Sequence, residues 1–160
     1  MVSRWSDFFV VVGGASAALT GLLFVAVSLR PREIRESSLM IGRARAAFYA
    51  FAAVLFTSLI ALAGSASRLL GLAELGVVIG VLALSYRFTA NSLRARTINY
   101  GRAAVYHLGL LVVGAAGAAR LVSGVRQYNE LMLAVGILLL LGIALSNSWQ
   151  LVVSHEAGAA

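Results

Sequence analysis

Residues 8–29 read FFVVVGGASAALTGLLFVAVSL and hold no charged side chain. Wound as a helix at about 1.5 Å per residue, the stretch reaches about 33 Å, enough to cross a hydrocarbon core of about 30 Å. It lacks the alternation of a barrel strand and is too long for one. The preceding MVSRW is only weakly basic, and Asp7 adjoins the apolar run. A signal-peptide core is about 7–15 residues, so this longer segment reads as an uncleaved first span.

Four further runs extend the pattern. Residues 46–67 are uncharged between Arg45 and Arg68, and residues 69–86 hold one charge, Glu74. Residues 103–119 hold only His107, and residues 131–154 are uncharged up to His155. The sequence therefore predicts an all-α, polytopic transmembrane bundle in one domain over 1–160. Its five spans lie at about 8–29, 46–66, 70–90, 103–123 and 131–153. The third is the shortest in apolar length. Its uncharged part, 75–86, covers only about 18 Å. The helix must extend outward past Glu74 or inward past Arg87, which can snorkel to the headgroups. Glu74 cannot travel far and is either interfacial or buried in the bundle.

Composition agrees. Hydrophobic residues make up 61% of the chain and charged residues 12%, with a mean hydropathy of +0.92. A soluble domain carries about 25% charged residues, so a typical soluble enzyme and a disordered tail are excluded. The absence of Cys excludes disulfides, thiolate metal sites, c-type haem attachment and a cysteine nucleophile. All 13 basic residues are Arg. In a soluble protein a net charge of +7 would suggest nucleic acid. Here the arginines fall between apolar runs, and no nucleic-acid partner is expected.

The arginines set the expected orientation. Arg30, Arg32, Arg35, Arg43 and Arg45 lie in the first connection, and Arg87, Arg94, Arg96 and Arg102 in the third. Arg4, Arg68, Arg120 and Arg126 fall on the other side. Five spans with the richer side in the cytoplasm put the N-terminus outside and the C-terminus inside. The segments RPREIRESSLMIGRAR (30–45) and TANSLRARTINYGR (89–102) then form a cationic inner collar. Pro31 suits a first helical position, and Arg32 and Glu36 stand at i, i+4, as in a short surface helix. The collar residues Arg30, Arg32, Arg35, Arg43, Arg45, Arg94, Arg96 and Arg102 suit anionic headgroups or an acidic protein partner.

Small residues in the first span recur at a spacing of four: Gly13, Ala17 and Gly21, with Gly14 and Ala18 beside them. Such a face lets helix backbones approach closely in lipid. It is expected either to pack within the chain, with the similar Gly114, Ala115, Ala118 and Ala119 of the fourth span as the candidate contact, or to form a homo-oligomer seam. Ser16 and Thr20 are expected to bond carbonyls of their own helix. Ionisable groups inside spans mark function by default. Glu74, with Arg120 as partner on the neighbouring antiparallel helix, reads as an intramembrane ion pair that staples two helices. The alternative is a proton or cation site at Glu74.

Catalytic patterns fail on spacing. His155-Glu156 opens an HExxH zinc motif, but the fifth position is Ala159. Ser16 has only His107 and His155 as possible bases, and Ser16 and His107 belong to opposite leaflets, beyond hydrogen-bond reach. A lone His107 at a helix end reads as an interfacial hydrogen-bonding residue. No cofactor and no metal site are expected.

The opening FFVVVGGASAALTGLLFVAVSLRP (8–31) resembles the start of a group of small bacterial membrane proteins, some labelled modulators of the FtsH protease, a membrane-bound AAA protease. The resemblance covers the first span and implies the bacterial inner membrane, with no activity. The expectation from the residues is a non-enzymatic, membrane-embedded scaffold or regulator that binds lipids, another membrane protein or a second copy. The alternative is an oligomeric small channel or transporter with Glu74 in its path.

Overall fold

The computed structural model describes residues 3–29, 31–63, 68–94, 100–122 and 126–153, and all of these except Ser37 and Ala63 are helical. The helices are α1 (Ser3–Leu29), α2 (Pro31–Glu36), α3 (Ser38–Leu62), α4 (Arg68–Arg94), α5 (Tyr100–Val122) and α6 (Arg126–Val153). Five of them, all but α2, contain a stretch long and apolar enough to cross a membrane. The chain is thus an all-α multi-pass bundle. Only 22% to 44% of each apolar window is buried inside the protein. Large side chains such as Val11, Leu22, Phe24, Ile79 and Leu111 point outward, as expected where the surroundings are acyl chains.

Consecutive spans run antiparallel. Helices α3 and α5 each pack against both α4 and α6, so these four form a square with α3 and α5 on one diagonal. Helix α1 lies outside the square, mainly against α3. The core contains Phe51 and Val54 from α3, Val78 and Val81 from α4, Leu110 and Val113 from α5, and Leu133, Ile137 and Leu140 from α6. At the end where α3 and α5 begin, Tyr86, Tyr100 and Trp149 are exposed, at the level where amphipathic rings favour the headgroup boundary. We term this the arginine-rich end, and the opposite one the Glu74 end.

The connection at 30–45 is more ordered than the apolar count predicts. Pro31 opens α2, and the chain then breaks for one residue at Ser37. Ser37 has extended geometry (φ −111, ψ 107), and its side chain accepts from the Met40 N–H. This cap starts α3 at Ser38, so Arg43 and Arg45 belong to a membrane helix and not to a loop. The third span likewise continues as helix on both sides of its apolar part, from Arg68 to Arg94.

Helix pairs in lipid are held by close approach, and here it occurs at glycines. A Cβ on Gly71 would stand 2.8 Å from the Gly117 carbonyl oxygen, and one on Gly117 would stand 3.1 Å from Glu74 Cβ. These contacts seat α5 on α4. On its other side α5 meets α6, where a Cβ on Gly136 would lie 2.7 Å from Val113 Cγ2.

The expected packing face of α1 needs correction. Only Gly13 is buried; its Cβ position lies 3.0 Å from Ser58 Cβ of α3. Gly14, Ala17, Ala18 and Gly21 are exposed. The seam instead follows Phe9, Val12, Gly13, Ser16 and Leu23: small Gly13 and Ser16 let α3 approach, and the larger residues fill the groove on either side of them. The suggested contact between the first and fourth spans is replaced by α1 on α3 and by α5 between α4 and α6.

Two glycine substitutions should separate these roles. Gly136→Ala, which forces a methyl group into Val113, should lower stability by about 1–3 kcal/mol. Gly76→Ala and Gly80→Ala meet open space and should leave stability unchanged or raise it slightly through helix propensity. Thermal unfolding in detergent reads both, and equal losses at all three positions would contradict this assignment.

Candidate functional site

Glu74 lies two turns into α4 and is fully buried, with 0% exposure. Its Oε1 stands 2.9 Å from Arg120 Nη1 on α5. The crossing explains the placement. Gly117 lies opposite Glu74 and leaves room for the carboxylate, with its Cβ position 3.4 Å from Glu74 Oε2. Arg120 lies opposite Gly71, one turn nearer the α5 terminus, and reaches back toward Glu74. Arg120 also occupies the last turn of α5, where the negative end of the helix dipole favours a cation. The structure thus brings Glu74 and Arg120 together, and Glu74 is buried instead of interfacial.

The carboxylate remains poorly satisfied by geometry. Neither of its oxygens accepts a well-directed hydrogen bond from a protein donor. Thr57 Oγ1 and Ser58 Oγ, two buried hydroxyls of α3, also lack partners. Counted from the helix ends at about 1.5 Å per residue, they lie at a depth similar to that of Glu74. These two residues interrupt an otherwise apolar run in the sequence (FTSL, 56–59), which is the signal that could have marked them. Ser16 differs from expectation: its Oγ donates to the Phe51 carbonyl of α3 at 2.7 Å. Gly13, three residues earlier, brings α3 within reach. Thr20 does bond its own helix, donating to the Ser16 carbonyl at 2.8 Å.

The arginine-rich end holds a second polar group. Arg102 of α5 donates to Ser146 Oγ of α6 at 2.6 Å and to Gln150 Oε1. It is half-buried, as is Arg43 of α3, whereas Arg32 and Arg45 are exposed. The collar therefore divides into exposed and inward members. The side chains of Arg35 and Arg94 lie outside the described set, as do residues Arg30 and Arg96. The run SNSWQ (146–150) supplies the α6 partners, a polar cluster whose pairing with Arg102 is invisible without the register of α5 on α6. One turn deeper, Tyr106 is buried and its ring meets His107 edge-on at 5.4 Å. His107 Nδ1 lies 2.7 Å from the Ala103 carbonyl of its own helix. His155 lies outside the described residues.

Among the described residues no three His, Cys, Asp or Glu side chains gather as metal ligands would. Comparison with protein-family models, characterised proteins and solved structures gives no match. The geometry thus offers a closed ion pair at one end and a cationic, donor-rich cluster at the other.

Removing one member of the ion pair should strand the other. Arg120→Leu should destabilise the protein by about 3–5 kcal/mol, as for other broken buried pairs. Glu74→Leu combined with Arg120→Leu should recover most of that loss. Denaturant titration in mixed micelles of the two single variants and the double variant measures the coupling. Additive losses would show that the two charges do not interact.

Proposed function

We propose that this protein is a non-enzymatic scaffold or regulator of the bacterial inner membrane, holding another membrane helix against α1. The observation that carries the reading is the outward strip of Gly14, Ala17, Ala18 and Gly21. A Cβ added at Gly14 or Gly21 would meet nothing within 4 Å. Small residues cover little surface against acyl chains but admit a second backbone closely. Helix α1 also has the least buried apolar window of the five, which leaves most of its circumference for a partner. The Arg120 contact supports reading Glu74 as a helix staple in preference to a proton or cation path.

The orientation in this reading has the N-terminus outside and the C-terminus inside, supported by nine arginines on the collar side against four on the other. The arginine-rich end then faces the anionic headgroups of the cytoplasmic leaflet. Single cysteines at Ser3 and Ala160 should react with an impermeant maleimide from opposite sides of the membrane. Reaction of both from one side would overturn the orientation.

A photo-crosslinking residue at Ala18 should capture a discrete neighbour in native membranes. Gly14→Leu with Gly21→Leu should abolish that capture while leaving the melting temperature in detergent unchanged, since both sites are open. The same residue at Ile79, exposed on α4, should capture nothing discrete. Identical adducts from Ala18 and Ile79 would refute a specific face, and a dimer-sized adduct from Ala18 would identify the neighbour as a second copy.

A further inference from the structure

We propose that α1 has two seats on α3, the one that Gly13 and Ser16 form and a second one helical turn nearer the Glu74 end, and that it slides between them. In the first seat the Cβ position of Gly13 lies 3.0 Å from Ser58 Cβ, and Ser16 Oγ donates to the Phe51 carbonyl at 2.7 Å. Four residues on, Ala17 and Thr20 repeat the same pair, a small residue and a hydroxyl three apart. Residues four apart form the ridges by which helices pack. Four residues also advance a helix by about 6 Å and carry it about 40° past a full turn. A slide of that length, with the compensating rotation, sets Ala17 against Ser58 and Thr20 against the Phe51 carbonyl. The slide concerns the face of α1 turned to α3 and requires no partner helix.

Ser58 explains why a second seat exists. It is fully buried, and its hydroxyl has no partner, whereas buried polar groups are nearly always hydrogen-bonded. In the first seat Ser58 faces Gly13, which has no side chain to offer. In the second, Ser16 takes the place of Val12, the buried neighbour of Gly13, and brings a hydroxyl beside Ser58. The group left alone in one seat is thus served in the other. Thr20 is available for the exchange as well. In the first seat it donates to the Ser16 carbonyl of its own helix at 2.8 Å, a local bond that a side-chain rotation trades for the Phe51 carbonyl.

The first seat is the more occupied. Ala17 and Thr20 are each larger by a methyl group than the residues they replace, and the Ala17 Cβ would stand at the 3.0 Å found for Gly13, so that Ser58 must give by a few tenths of an ångström. Phe9 also yields its buried place to Gly13. Against this, Leu23 takes the place of Leu19 and Val27 that of Leu23, and Val27 already packs on the core. No charge enters the seam, because residues 8–29 hold none. Gly14, Ala18 and Gly21 stay outward, at the exposed positions of Val10, Gly14 and Ala17, so the outer strip travels with the helix. One-turn ratchets of one element past another are two-state devices, and a neighbour that fixes the depth of α1 selects one seat.

Double electron–electron resonance on the full chain in nanodiscs tests the slide. The chain has no cysteine, so spin labels attach only where cysteines are introduced. Val25 of α1 and Leu59 of α3 are exposed toward opposite ends of the bundle, as are Val10 and Leu39. A slide toward the Glu74 end brings Val25 nearer Leu59 and takes Val10 farther from Leu39. Each labelled pair should give a main distance and a minor one displaced by up to about 6 Å, shorter in the first pair and longer in the second. Gly13→Ala, which crowds Ser58 only in the first seat, should raise the minor population severalfold. Thr20→Val, added to Gly13→Ala, should lower it again about fivefold, the worth of one hydrogen bond, and leave the main distance unchanged. Should Gly13→Ala fail to fold, wild type against Thr20→Val alone makes the same comparison. A single distance in both wild type and Gly13→Ala would overturn the second seat. Displacements of the same sign in both pairs would mean a tilt and would overturn it too, as would a minor population indifferent to Thr20→Val.

Discussion

Helices surrounded by acyl chains gain little by hiding apolar side chains from one another, because lipid is as apolar as they are. What remains is contact between backbones, and contact requires that side chains be absent where helices cross. In this bundle α5 crosses α4 at Gly71 and Gly117, and crosses α6 at Gly109 and Gly136. With α5 seated on both neighbours, α3 closes the square and the apolar core between the four helices follows. The Glu74 site depends on the same constraint. A larger residue at position 117 would occupy the space of the carboxylate, and one at position 71 would push Arg120 away.

The two ends of the square solve opposite electrostatic problems. At the Glu74 end an acid and a base meet at 2.9 Å, and the cation stands at the C-terminal turn of its helix, where the dipole favours it. At the arginine-rich end Arg102 stands in the first turn of α5, where the dipole opposes a cation, and the neutral side chains of Ser146 and Gln150 accept its hydrogen bonds.

Much of this was legible in the sequence, for physical reasons that can be named. Uninterrupted apolar length gave five spans, because a bilayer imposes a minimum length whatever the packing. Glu74 and Arg120 stood out because charges are rare at membrane depth, and their neighbouring antiparallel spans suggested a pair. The face that α1 buries was not legible. Glycine spacing identifies where a backbone can be approached, but not which helix approaches it, and both sides of α1 contain small residues. Ser16 points at α3 for a reason that lies in Gly13 and Ser58 together, on two helices whose register no single segment contains. The pairing of Arg102 with Ser146 and Gln150 was hidden likewise, since composition shows an arginine near a membrane surface in the same way whether it faces lipid or a neighbouring helix.

The attachment of α1 bears on what the protein can do. The square of α3, α4, α5 and α6 contains the glycine crossings and the ion pair. Helix α1 joins it along one seam, through Gly13 against Ser58 and through the hydroxyl of Ser16 on the Phe51 carbonyl. A helix held on one side only, with open glycine and alanine on the other, contributes little to closing the core. Its outward residues can therefore change without disturbing the square, whereas the glycines of α5 cannot. That separation confines changes on the outward side of α1 to α1 itself, while the remaining four keep their register. A larger side chain at Gly14 or Gly21, where an added Cβ meets nothing within 4 Å, therefore alters the outer surface of α1 without touching the crossings that close the square.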